Sequence, residues 1–141
     1  MSPSFRLPRS HRLKRRRLIQ PLFNRQEEGV HSLVSGSIRI QYRFVTRVAT
    51  GGEAPLQVGF AVGKSSGNAV ARNRLKRIMR EVYRMNQHVL VDLFSERTDV
   101  LTMMIVFRGN PAAEKALRED LEGALRRLTS RFTDESRRQS T

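Results

Sequence analysis

The stretch GNAVARNRLKRIMREVYR, residues 67–84, decides how the chain is read. At about 100° per residue, Ala71, Leu75, Ile78, Met79 and Val82 share one face of a helix. Asn73, Lys76, Arg77, Arg80 and Arg84 gather on the opposite face, with Arg72 and Arg74 flanking them. Gly67 and Asn68 supply the start and the cap. Against six cations stands one acid, Glu81, so like charges occupy helical neighbour positions and destabilise the helix in isolation. A solvated face normally mixes signs. An anionic partner would remove the repulsion, and each phosphate neutralised would release condensed counterions and give salt-sensitive affinity. Asn73 is a weak helix former whose amide could donate to phosphate or ribose oxygens.

Outside this helix the balance is the same. The chain has 141 residues, 27 Lys+Arg against 13 Asp+Glu, and a net charge of +14. With 38 % hydrophobic residues it is long enough for one core. The cations are mostly arginine, with Lys14, Lys64, Lys76 and Lys115 as the lysines, and guanidinium forks suit bidentate phosphate contacts. Nucleic acid is therefore the expected polyanion. A membrane surface would call for an apolar aromatic anchor, and there is no Trp. No membrane partner and no small-molecule substrate are expected. The absence of Cys removes disulfides, thiolate chemistry and cysteine metal sites and fits a reducing compartment, the cytoplasm by default.

Residues 1–17 carry seven basic residues and read as a basic, extended N-terminal arm; residues 18–132 form a single domain; residues 133–141 form a polar tail. RRLIQPLFNRQ places Leu18, Ile19, Leu22 and Phe23 at helical spacing, with Pro21 predicting a late start or a kink. SIRIQYRFVTRV alternates Ile38, Ile40, Tyr42 and Phe44 with Arg39, Gln41 and Arg43, a strand with one packed and one basic wet face. ATGGEAP followed by LQVGFAV predicts a hairpin, with a short strand near residues 30–34 beside it. DVLTMMIVF reads as a buried central strand. NPAAEKALREDLEGALRRLTSRF predicts a helix capped by Asn110 with Pro111 at its first position and a core stripe of Leu117, Leu121, Leu125 and Leu128.

Several chemistries are disfavoured. VGKSSGN resembles half a P-loop, but the required first glycine is Val58, so nucleotide hydrolysis is not expected. His11, His31 and His88 have no metal-ligand or acid–base spacing, and the acids show no two-metal cluster. No catalytic and no metal-ligating residue is assigned. Phe23 and Tyr42 amid arginines match the aromatic-plus-cation pattern that binds single strands. Core packing is the alternative for both, and Tyr42 is the preferred contact residue.

VGFAVGKSSGNAVARNRLKRIMREVYR resembles the signature segment of the protein subunit of bacterial ribonuclease P, with its arginine-asparagine-arginine motif as Arg72, Asn73 and Arg74. The resemblance runs back through RRLIQPLF and FRLPRSHRL and forward through MMIVFRGNPAA, over roughly residues 5–132. It implies an α/β (α+β) two-layer sandwich of order αβββαβα, related to a ribosomal-protein domain, with a left-handed βαβ crossover through the basic helix. It also implies an auxiliary of a catalytic RNA that, with bound Mg2+ held mainly by RNA subunit and substrate, removes the 5′ leader of precursor tRNA. The protein alone is then inactive. The RNA-binding residues carried over are Arg72, Asn73, Arg74, Lys76, Arg77, Arg80 and Lys64, with Ser65 in place of a second lysine. Ile19, Phe23 and Tyr42 match the leader-binding cleft, Ile19 standing where the family often has Phe. A general RNA-binding protein and a protein-only nuclease are the competing classes.

Overall fold

The computed structural model describes residues 7–24, 26–110 and 112–139, with the side chains of 134–139 excepted. The first six residues of the arm, Pro111, and the last two residues of the tail lie outside the described residues. Strand β2 (Ile38–Val45) pairs antiparallel with β1 (His31–Ser35) and, on its other edge, with β4 (Val100–Phe107). Strand β3 (Leu56–Val62) runs parallel to β4, so the sheet order is β1-β2-β4-β3. Gly36 and Ser37 make the β1–β2 turn, with Gly36 at φ 55, the arrangement of a type II′ turn.

The hairpin expected between SIRIQYRFVTRV and LQVGFAV does not form, because β4 lies between β2 and β3. All eight residues of β4 are buried, and a strand apolar on both faces gains a hydrogen-bonded neighbour on each edge only inside the sheet. Between β2 and β3 the chain instead makes a one-turn helix, absent from the expected order. Here the short helices are α1 (Arg16–Ile19) and α2 (Arg47–Thr50), and the long ones α3 (Ala69–Phe94) and α4 (Glu114–Gln139). Thr46 Oγ1 caps α2 by accepting from Ala49 N at 3.2 Å, and Gly51 closes it at φ 69, a left-handed conformation that favours glycine.

Helices α3 and α4 cover one face of the sheet. Leu75, Ile78, Met79 and Val82 meet Leu117, Leu121, Leu125 and Leu128 over Ile38, Ile40, Tyr42, Val58, Met103 and Ile105. On the opposite face a smaller core joins Leu13, Leu18 and Leu22 to Met104 and Val106. The first helix is cut short: after Ile19 the chain tightens into a 3-10 turn, Gln20–Phe23, around Pro21, which has no N–H to offer an α-helical ladder. Residues 7–17 are extended in part but docked. Arg12 bridges Val58, Leu13 N donates to Val58 O at 2.9 Å, and Leu7 and Leu13 are buried, so the arm covers the outer edge of β3.

Helix α4 begins at Glu114, later than expected. Asn110 Oδ1 accepts from Ala112 N at 2.9 Å in a turn that precedes the helix. At the other end α4 continues past Phe132 to Gln139, through residues set apart in sequence as a tail. Thr129 and Thr133 Oγ1 bond back to the carbonyls of Leu125 and Thr129, each at 2.8 Å, so their hydroxyls are satisfied within the helix.

Candidate nucleic-acid interface

Asn68 Oδ1 accepts from Ala71 N at 2.9 Å and caps α3, which fixes the phase of everything after it. With Leu75, Ile78, Met79 and Val82 turned into the core, Asn73, Arg77 and Arg80 are exposed in one stripe, and half-buried Arg84 extends it. Lys76 and Arg72 are half-buried beside the stripe, and Arg72 Nε is enclosed without a hydrogen-bond partner. Lys64 is exposed on the 3-10 turn that precedes α3. Ser66 in that turn is buried and donates through Oγ to Gly109 O at 2.7 Å, anchoring the approach to the helix.

Arg74 diverges from the stripe toward α4. It pairs with Glu114 at 3.6 Å, and Arg118 joins Glu114 at 3.5 Å to Glu81 at 3.6 Å. The acids nearest the stripe are thus engaged with Arg74 and Arg118, leaving Arg77, Arg80 and Arg84 in excess. These three and Glu81 form one wall of a cleft of about 670 Å³ whose other wall is Leu7, Pro8, Arg9 and Arg12 of the arm. Arg12 and Arg80 also line an adjoining recess of about 320 Å³ with Lys14 and Phe60. His11 on the arm is held below its ordinary pKa by burial, so it stays neutral near pH 7 and the arm's charge there is guanidinium. The cleft therefore presents convergent planar donors beside Leu7 and Pro8, chemistry matched to phosphate oxygens.

Arg9 and Arg12 belong to this surface although the sequence pointed to no contact for them, and Arg84, which the helical period sets on the cationic face, joins them. The signal was available for the arm residues in its charge; what the sequence lacked was the docking along β3 that brings Arg9 and Arg12 opposite α3.

Ile19, Phe23 and Tyr42 are not brought together. Ile19 packs against the small core on the α1 face, and Phe23 is 46 % exposed at the end of the 3-10 turn on that side. Tyr42 is 2 % exposed on the other face, where Phe132 meets it edge-on at 5.7 Å and Arg131 Nη1 donates to its hydroxyl at 2.5 Å. The structure does not bring Tyr42 to the α1 face with Ile19 and Phe23: its side chain has the parity of Ile38 and Ile40, which face α3 and α4. The face shared with α1 carries Arg39, Gln41 and Arg43. Gln41 Nε2 donates to Leu22 O at 3.0 Å, and Arg43 pairs with Glu27 at 3.1 Å.

No three His, Cys, Asp or Glu side chains converge as a metal set among the described residues. Mg2+ takes oxygen ligands, and the cationic cleft does not fit it as a protein-held ion. No helix among the described residues is long and apolar enough to cross a membrane.

A mixed sheet backed by two long helices, with unbalanced arginines on the helix between its parallel strands, defines a basic α+β protein built to face a polyanion. The family model for Ribonuclease P matches residues 7–133, and the chain belongs to that family. The Ribonuclease P protein component of Porphyromonas gingivalis is 36 % identical over 126 residues, covering 84 % of this chain and 86 % of that relative. The component of Brevibacillus brevis is 40 % identical over 87 residues, 60 % of this chain and 61 % of that relative. The chain spans less than two thirds of the length of several such relatives. The Staphylococcus aureus RNase P protein has the same fold, with a TM-score of 0.58 at 19 % identity over 84 % of this chain and 94 % of that one.

Proposed function

We propose that the chain is the protein component of a bacterial ribonuclease P, binding the catalytic RNA subunit and the 5′ leader of precursor tRNA and assisting endonucleolytic removal of that leader. The observation that carries this reading is the cleft in which Arg77, Arg80 and Arg84 face Arg9 and Arg12 with one intervening acid, in a member of this family. Such a surface gives affinity through phosphate neutralisation without reading bases. The signature residues divide by position: Arg77 and Arg80 serve the cleft, while Lys64, Arg72, Asn73 and Lys76 extend the surface toward the start of α3, and Arg74 ties it to α4.

The protein's own contribution is to bind and orient. Guanidiniums neutralise the crowding of phosphates where two RNAs meet, and exposed Phe23 offers a face on which a leader base stacks. Mg2+, when bound by the RNA subunit and substrate, supplies the charge stabilisation and activated water for phosphodiester hydrolysis. Work of this kind belongs in the cytoplasm, beside nascent tRNA. The test is to add the purified chain to precursor tRNA at low magnesium, with and without a bacterial ribonuclease P RNA. Cleavage should be stimulated with that RNA and absent without it; leader removal by the chain alone would overturn the reading.

A further inference from the structure

Across the sheet from α3, two arginines of the arm and α1 converge on a single oxygen. Arg15 Nη1 and Arg17 Nη2 both donate to Ala49 O of α2, at 3.3 and 2.9 Å. Like charges brought to one acceptor repel, and no carboxylate pairs with either among the described residues. The turn is shaped to receive them. A Cβ on Gly51 would stand 2.8 Å from Arg15 Nη2, so glycine's missing side chain makes the room in which that guanidinium lies. Both arginines are exposed, and each keeps N–H donors beyond the one spent on Ala49. Lys14 and Arg16, also exposed, reinforce the field.

We propose that Arg15 and Arg17, seated on the α2 turn, form a second RNA site that clamps one backbone phosphate. Ala49 O orients the two forks, the phosphate's non-bridging oxygens accept from the remaining N–H groups, and α2 is the element that preorganises the pair. This rests on the proposed function for its choice of RNA as the anion. The phosphate comes either from the catalytic RNA or from the single-stranded leader, on whose expected side of the sheet Phe23 also lies.

The test measures binding against salt for three variants on two probes: ribonuclease P RNA alone and a single-stranded RNA oligonucleotide. Arg15→Gln/Arg17→Gln should weaken binding about tenfold on the probe that supplies the phosphate. The log–log salt slope should become shallower there by about 0.7 for a single strand or 0.9 for a duplexed segment. Arg15→Lys/Arg17→Lys keeps both charges but removes the forks seated on Ala49 O, and should weaken the same probe in the same direction. Arg126→Gln, an exposed arginine on α4, should change neither. Unchanged slopes for the glutamine double variant on both probes overturn the proposal. So does an unaffected Arg15→Lys/Arg17→Lys beside a weakened glutamine double variant, since charge alone would then suffice. If the parental chain fails to stimulate ribonuclease P RNA yet shows seat-dependent binding to the oligonucleotide, the proposed function fails and the phosphate site stands.

Discussion

The hydroxyl of Tyr42 accepts from Arg131 Nη1, and its ring lies 5.4 Å from His31 and 5.7 Å from Phe132, enclosed on every side. Tyr42→Ala should therefore cost about 3–5 kcal/mol of unfolding free energy, the range for emptying an aromatic site in a core. The folded fraction should keep its affinity for single-stranded RNA. Phe23→Ala should do the reverse: little change in a denaturant midpoint, and a loss of about 1–3 kcal/mol in single-strand affinity if a base stacks there. Denaturation curves and oligonucleotide titrations of the two variants separate the roles, and exchanged outcomes would return Tyr42 to the RNA. The parity of β2 was legible in the sequence, since Tyr42 alternates in step with Ile38, Ile40 and Phe44. Both the aromatic-plus-cation pattern and the family position pointed to Tyr42 without holding it to that parity, where a one-residue offset changes the face. The stripe on α3 needed no such match, because apolar and cationic residues separate cleanly at helical period and the core pins the phase.

Among the elements, the β1–β2 turn is held from outside itself. Asp120 on α4 accepts from Ser37 N at 2.9 Å and from Ser37 Oγ at 2.7 Å, and Arg127 Nη1 on the same helix donates to Val34 O at 2.5 Å. Asp120→Ala removes both bonds to Ser37 and should lower unfolding free energy by about 1–3 kcal/mol. Stimulation of ribonuclease P RNA should persist, because this turn lies away from the arginine cleft; a stability loss below a few tenths of a kcal/mol would mean water replaces the carboxylate without cost. Docking of this kind is invisible in a single sequence, since Ser37 and Asp120 are joined only by the tertiary fold. The same holds for strand order. The run DVLTMMIVF announced a central strand, but local turn residues in ATGGEAP suggested pairing of its sequence neighbours. Pairing went to the strand with two apolar faces. The helix α2 had signals of its own, Thr46 before it and Gly51 after it, obscured by a segment that reads equally as a hairpin turn.

At the scale of the molecule, a net charge of +14 means that the free protein works against itself. The acids near the interface do not relieve this where it is greatest: Glu81 and Glu114 are engaged with Arg118 and Arg74, while Arg77, Arg80 and Arg84 stand together with Arg9 and Arg12 around one cleft. Stability and binding should therefore move in opposite directions when those cations are removed. Arg77→Gln/Arg80→Gln relieves an i,i+3 repulsion, and should gain about 0.2–0.5 kcal/mol at low ionic strength. Added salt should erase the gain, because the Debye length then shrinks toward the separation of these exposed charges. Binding to ribonuclease P RNA should weaken, with the log–log salt slope shallower by about 1.8 if each arginine neutralises one duplex phosphate. Thermal melts and binding isotherms across one salt series test both halves together. A slope that keeps its parental value while stability rises would leave these arginines repelling one another with no phosphate between them, and the cleft would lose its claim to be the RNA-facing surface.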